Sequence, residues 1–272
     1  MWQFTTRGSI WRIATDGAHH IIGEERDVQN KRASYFCLEC GKGKVRWSDR
    51  GFGEDWWTGI ETCVGGVLYL HGFATPELPG HRGITAVEVR TGDVLWADEG
   101  IVFLAASRDR LHAVRGGITG NQVSELDPRS GEVRNTSRAD DRLLYTIRNP
   151  GHGFFEEALV PGPLPEAEAG NGRIAGFAEE RAGAEMIGYI DHPVTPVITT
   201  FVRRTAKPGD MPSRDCVLEV IDRGSGAVLF AETLISDARW PVEETVFVIQ
   251  NVLYYVKGHK TLSAVTLGTT DT

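Results

Sequence analysis

The stretch TAVEVRTGDVLW, residues 85–96, decides how the rest of the chain reads. An apolar run leads into Glu88, Gly92 follows four residues later, and a second apolar run closes on Trp96. Glycine takes positive φ without steric cost, and an acid ahead of it can accept hydrogen bonds from turn amides. The pattern therefore specifies two strands joined by a tight polar hairpin. The same spacing recurs in YFCLECGKGKVRW (35–47), VSELDPRSGEVR (123–134) and LEVIDRGSGAVLF (218–230), where Glu39 precedes Gly43, Asp127 precedes Gly131 and Asp222 precedes Gly226. Gly131 and Gly226 lie about two periods apart, which predicts a copy between them. GFAEERAGAEMIGYI (176–190) fits, with Glu179 before Gly183 and Ile187 where Trp47, Trp96 and Phe230 stand. A last copy, TLSAVTLGTTDT (261–272), has Thr266 in the acid's place and Thr270 in the glycine's.

Two more strand-like runs precede several copies, as in ETCVGG and VLYLHGF (61–73) or ETVFVIQ and VLYYVKG (244–258). Four short strands every ~40–50 residues is the spacing of a propeller blade. The repeat resembles that of the quinoprotein-like (PQQ-type) β-propellers, whose units end in a strand, an Ala-Leu-Asp-like segment, a Thr-Gly turn and a strand closing on Trp. By resemblance it points to a bacterial family of that fold. What the resemblance implies is an architecture: an all-β chain forming one propeller domain over residues 1–272. Six hairpins predict six blades, with five or seven as alternatives. The last copy ends before its outer strand, and MWQFTT (1–6) supplies one, so that Trp2 takes the place of Trp47 and Trp96. The competing local reading is a helix over 174–190, where Ala, Glu and Arg favour one. The Pro- and Gly-rich stretch 149–172 reads as a long loop insertion.

Composition excludes several classes. With 272 residues, 41% of them hydrophobic, and 32 glycines without a triplet period, the chain is neither collagenous nor disordered. A formal net charge of -8 argues against a nucleic-acid partner. No apolar run approaches the ~18 residues of a membrane span, and Met1 to Thr15 lacks a signal-peptide pattern, so the expected location is the cytoplasm, with no membrane partner. The four cysteines at 37, 40, 63 and 216 are too few for a disulfide scaffold and read as reduced thiols. Cys37 and Cys40 have the spacing of half a zinc knuckle. The repeat instead aligns them with Ala86 and Val89, ordinary strand positions, and no second pair exists to complete a site.

Gly turns join the third and fourth strand of each unit, so the loops at 71–83, 148–172 and 203–215 all fall between second and third strands and crowd the opposite face. Glu54, Asp55, Trp56 and Trp57 belong to the same face, where binding residues concentrate. The candidate ligand-binding residues are Glu24, Glu25, Arg26, Trp56, Trp57, His71, His81 and Arg82. His71 and His81 bracket a segment stiffened by Pro76 and Pro79. They are suitable metal ligands, but a third would have to come from elsewhere, so the expectation is no metal. On a strand Glu24 and Arg26 share one face and Glu25 and Asp27 the other, which a salt bridge and solvent can explain. Phosphate loops, nucleophile elbows and zinc-protease helices have no signature here.

Two functions follow. The first is a non-enzymatic binding or assembly module whose elaborated face takes a protein, peptide or small ligand. The second is an enzyme acting on a sugar-like or polar metabolite at the channel mouth. A quinone cofactor carried across from the resemblance is not expected: such dehydrogenases are larger, exported and calcium-dependent, and neither an export signal nor a calcium-binding run is present. No cofactor is expected.

Overall fold

The structure is a computed structural model that describes residues 1–17, 19–53, 56–75, 78–116, 122–140, 142, 144, 147, 158–163, 184–203, 213–238 and 245–268. Its strands are β1 (Trp2–Thr5), β2 (Ser9–Thr15), β3 (His20–Asp27), β4 (Arg32–Glu39), β5 (Val45–Arg50), β6 (Thr58–Val64), β7 (Val67–Thr75), β8 (Leu78–Glu88), β9 (Val94–Asp98), β10 (Val102–Ala106), β11 (Leu111–Arg115), β12 (Gln122–Leu126) and β13 (Val133–Arg138). They continue with β14 (Ala184–Ile190), β15 (Val197–Arg203), β16 (Arg214–Ile221), β17 (Val228–Ala238), β18 (Val246–Ile249), β19 (Val252–Lys257) and β20 (Thr261–Thr266). These strands pair into five four-stranded antiparallel sheets. Four are meanders of consecutive strands: β2 to β5, β6 to β9, β10 to β13 and β14 to β17. The fifth runs β1-β20-β19-β18. The chain divides into two compact units, Arg7–Glu157 with the first three meanders, and Met1–Thr6 with Ala158–Thr272.

The four clear repeat copies form one hairpin four times. In each, the acid's amide donates to the carbonyl five residues on, and the glycine's amide donates back to the acid's carbonyl, at 2.7–3.0 Å. Gly43, Gly92, Gly131 and Gly226 all take φ between 63° and 76°, a conformation that penalises any residue with a Cβ. Asp127 and Asp222 also cap their turns, accepting from the amides of Arg129 and Ser130 in one case and Ser225 in the other. The longer Glu39 and Glu88 reach past the turn to Arg46 and Arg129 instead.

Within Arg7–Glu157 the tryptophans couple neighbouring sheets. Trp47 on β5 donates its indole N–H to the Val89 carbonyl at 2.7 Å, and Trp96 on β9 donates to the Pro128 carbonyl at 3.0 Å. Each acceptor follows the acid of the next hairpin. Each indole also lies on that hairpin's glycine, so that a Cβ at Gly92 or Gly131 would sit 3.0 or 2.7 Å from ring atoms. Both tryptophans thus pack one sheet against the next, the equivalent role that their equivalent repeat positions call for. The third copy carries Asn135 at this position, and β13 is exposed along its length. Cys37 and Ala86 pair with Trp47 and Trp96, as the alignment predicts, and both are fully buried.

In the other unit, β1 pairs with β20 in the register Trp2↔Ala264 to Thr5↔Thr261, so the N-terminal strand does complete the last sheet. Trp2 packs on Tyr254 with ring centroids 5.9 Å apart, and Phe230 on Tyr255 at 6.0 Å. The core beneath Phe230 and Tyr255 includes Leu218, Leu234, Val248 and Leu253. Of the expected 149–172 insertion, residues 158–163 are described. Leu159 bridges Val248 and Gly162 bridges Tyr189, so this segment joins the first strands of two sheets.

Two expectations are corrected. Ile187 lies on β14, the first strand of its sheet, and not on a fourth strand as Trp47 and Trp96 do; the acid-glycine spacing at 179–183 was matched without a strand alternation to support it. The turn of that copy, and Thr270 of the last, lie outside the described residues. The segment 71–83 is not a loop: β7 and β8 run on as a ladder as far as Thr75↔Leu78. Gly72, Pro79, Gly80 and Gly83 are accommodated where the register shifts, as such residues often are.

Candidate functional site

β3 contributes a buried ion pair. Glu24 is 1% exposed and Arg26 8%, and they meet at 2.6 Å on the same face of the strand, as the alternation predicts. The second Glu24 oxygen accepts the Ile60 amide at 2.9 Å. Arg26 donates to the Trp56 and Thr58 carbonyls and lies 5.1 Å above the Trp56 ring. All of these partners are on or just before β6, so the pair ties the first sheet to the second. Its satisfied hydrogen bonds make it a strut. Glu25 points to the other face and accepts the Gly8 amide. Glu54 and Asp55 lie outside the described residues.

A second cluster is built from three adjacent strands: Glu61 on β6, His71 on β7 and His81 on β8. His81 Nδ1 hydrogen-bonds to Glu61 Oε1, and His71 Nδ1 approaches the same oxygen at 3.4 Å. That approach is too poorly directed for a hydrogen bond and leaves His71 Nδ1 buried without a hydrogen-bond partner. The two imidazoles stack at 3.5 Å, 6° from parallel. The Phe73 ring stands nearly perpendicular to both, 5.1 Å from His71 and 5.7 Å from His81 between centroids, and Trp57 stands nearly perpendicular to Phe73 at 6.1 Å. Gly59, directly opposite His71, makes room for the ring: a Cβ there would lie 3.0 Å from Cε1 and Nε2.

Burial sets the protonation states. It pushes the pKa of His71 down to about 3, with the charges of His81, Arg12 and Arg26 acting in the same direction, so at neutral pH this imidazole is uncharged. Burial also raises the Glu61 carboxyl, against the opposing pull of His81. The access side is His81, whose side chain is 37% exposed where that of His71 is 2%. Ligand atoms of the three residues lie within 4.8 Å of one another, a set able to hold a metal ion.

The structure thus gathers His71 and His81 at one point, flanked by Trp57, and Glu24, Arg26 and Trp56 at a neighbouring one. Arg82 is exposed and donates to the Glu99 carbonyl instead. Glu61 is the residue that sequence reasoning missed. It supplies the third ligand that the two histidines lacked, and its one visible signal was position: an acid in the apolar first strand of a blade. Among the described residues the thiols join no such cluster. Cys37, Cys63 and Cys216 are buried, and burial raises the Cys37 and Cys216 thiols, the latter to about 12.

The meanders and their docking tryptophans define a chain of propeller-blade sheets. A family model described as a domain of unknown function (DUF4905) matches residues 14–96, the stretch that contains Glu24, Glu61, His71 and His81 but less than a third of the chain. The comparison with curated proteins gives no match. Among solved structures the chain is similar to a europium-containing methanol dehydrogenase, with 13% identity and a TM-score of 0.29 over 97% of this chain and 52% of that one. It is also similar to the β-propeller domain of the Trilobed protease from Pyrococcus furiosus, with 11% identity and a TM-score of 0.31 over 98% and 72%. A third likeness is to prolyl endopeptidases, with 10% identity and a TM-score of 0.36 over 95% and 41%. The chain spans about half the length of the methanol dehydrogenase.

Proposed function

We propose that the protein is a non-enzymatic binding module, a single propeller domain that takes a small polar ligand at Glu61, His71 and His81. The observation that carries the reading is His71 Nδ1, a buried acceptor or donor left without a hydrogen-bond partner beside a half-buried carboxylate. Buried polar groups are nearly always satisfied, and an exception marks a place where a ligand or water belongs. His81 lies at the exposed side and is the group a ligand meets first. The raised Glu61 and lowered His71 favour a second reading, acid–base chemistry on a polar metabolite, because burial favours the neutral form of each and perturbed titratable pairs of this kind concentrate at functional sites.

A thermal-shift screen of small polar metabolites against the parent and a Glu61→Gln, His81→Ala variant tests both. The binding reading expects hits that shift the parent alone and are recovered chemically unchanged. Recovery of a converted product moves the protein to the enzymatic reading. Hits that stabilise parent and variant equally remove this cluster from either.

A further inference from the structure

We propose that Glu61, His71 and His81 form a binding site for a divalent transition-metal ion of the zinc type. This deepens the binding reading above and rests on it for location. Two imidazole nitrogens and one carboxylate oxygen, all within 4.8 Å, are a donor set that zinc accepts while keeping a fourth position open. The nitrogen donors select against magnesium and calcium, which prefer oxygen.

The three ligands come from three hydrogen-bonded neighbouring strands of one sheet, and a rigid platform of this kind holds a site better than loops do. His71 is fixed: it is buried over Gly59, edged by Phe73, and directs an unpartnered Nδ1 toward Glu61. His81 is the adjustable ligand. In the stacked arrangement an ion between the two nitrogens would lie out of both ring planes, so His81 must tilt away from His71 and exchange its hydrogen bond to Glu61 for the metal. Its partial exposure gives it the room. The nearby cations are engaged elsewhere, Arg12 with the Ile60 carbonyl at 2.7 Å and Arg26 with Glu24 and two carbonyls. The open fourth position is where water or the small polar ligand would bind.

Equilibrium dialysis of the full chain against zinc, with magnesium and calcium in parallel, tests the assignment. Cobalt(II) absorption reports the geometry and separates imidazole and carboxylate from thiolate ligation. The expected result is one zinc per chain, negligible magnesium or calcium uptake, and a tetrahedral cobalt spectrum without thiolate charge-transfer bands. Affinity should fall at least tenfold in Glu61→Gln and in His81→Ala, losses no smaller than those seen when even a supporting residue is removed. Far-UV circular dichroism and melting of the metal-free variants check their folding, and the near-isosteric Glu61→Gln stands in if His81→Ala fails that check. Zinc binding that is undiminished in folded variants, no zinc binding by the parent, or thiolate bands would overturn the metal site. If zinc fails while the metabolite hits still depend on Glu61 and His81, the binding reading survives without the metal; if both fail, the cluster binds neither.

Discussion

Replacing Trp47 by Ala tests whether repetition in the sequence is repetition in the packing. The indole is 6% exposed, lies on Gly92, meets Phe52 edge-on at 6.1 Å and donates to the Val89 carbonyl. Truncating a buried Trp costs about 3–5 kcal/mol, of which the hydrogen bond accounts for about 1 kcal/mol. With a urea m-value of about 2 kcal/mol/M, a loss of 4 kcal/mol lowers the midpoint by about 2 M. Trp47→Phe, which keeps most of the ring contact but abandons the Val89 carbonyl, should lose about 1–2 kcal/mol. Trp96 is only half-buried, so its truncation should cost less than that of Trp47. The cycle between Trp96 and Gly131 is sharper. A Cβ at Gly131 would stand 2.7 Å from Trp96 Cδ2 and at φ +72°, so Gly131→Ala pays for both collision and backbone strain in the parent, but for strain alone once Trp96 is Ala. The two substitutions should therefore be clearly non-additive. An unchanged midpoint in Trp47→Ala, or strict additivity in the cycle, would refute the docking of each sheet on the next hairpin.

Deleting residues 1–7 should strip β20 of its outer partner, leaving β19 on its other side, and Tyr254 of Trp2; exchange of the 261–266 amides that face β1 should accelerate sharply, and protection like that of the full chain would discard the closing role of β1. Arg26→Met leaves the Glu24 charge buried and should cost about 3–5 kcal/mol in chemical denaturation, while adding Glu24→Leu should restore part of it; no recovery in the pair would mean that the carboxylate was not the burden. Cys216 supplies a pH test. Its folded pKa of about 12 lies above the ordinary value of 9.0, so the folded chain keeps a proton that the unfolded chain gives up. The associated stability is complete below pH 9 and lost as pH rises toward 12. Cys216→Ala should flatten the alkaline fall in melting temperature, and an identical slope in parent and variant would contradict the burial argument.

The repeat was legible because its markers have separate physical causes that agree. The left-handed glycine, the acid ahead of it and the aromatic four residues beyond answer to backbone sterics, turn hydrogen bonds and inter-sheet packing respectively. Where all three coincide, as at 85–96, the hairpin stands as read. At 176–190 only the acid and glycine coincide, and Ile187 proves to be on a first strand. Trp2 was legible for the same reason as Trp47: an aromatic on an outer strand needs a surface to cover, and Tyr254 provides one. The Glu24–Arg26 strut was half legible. Alternation places both side chains on one face, but the carbonyls of Trp56 and Thr58 that complete it belong to another sheet.

The cluster at Glu61 was hidden by register. Counting back from the Val64↔Val67 pair without interruption sets Glu61 opposite Leu70, on the face away from His71. The bulge between Ile60↔Leu70 and Thr62↔Tyr69 inserts Glu61 as an extra residue and returns it to the face of Gly59 and His71. The same count from Thr75↔Leu78 would set His81 opposite Gly72, again on the wrong face; the shift before Phe73↔His81 moves it beside His71. A one-residue slip exchanges the faces of a strand, and two independent slips are needed here to bring three ligands together. Bulges leave little mark in a single sequence, since any residue can be the extra one. Removing one of them is therefore a direct test of what assembles the site. Deleting Ile60 would keep Glu61 while straightening β6, and the unbulged count then puts Glu61 opposite Leu70, on the face away from His71, with Gly59 still opposite His71. If His71 and His81 still bound ligand as in the parent, the bulge would have no part in gathering the site; loss of binding with the sheet intact is what the register argument requires.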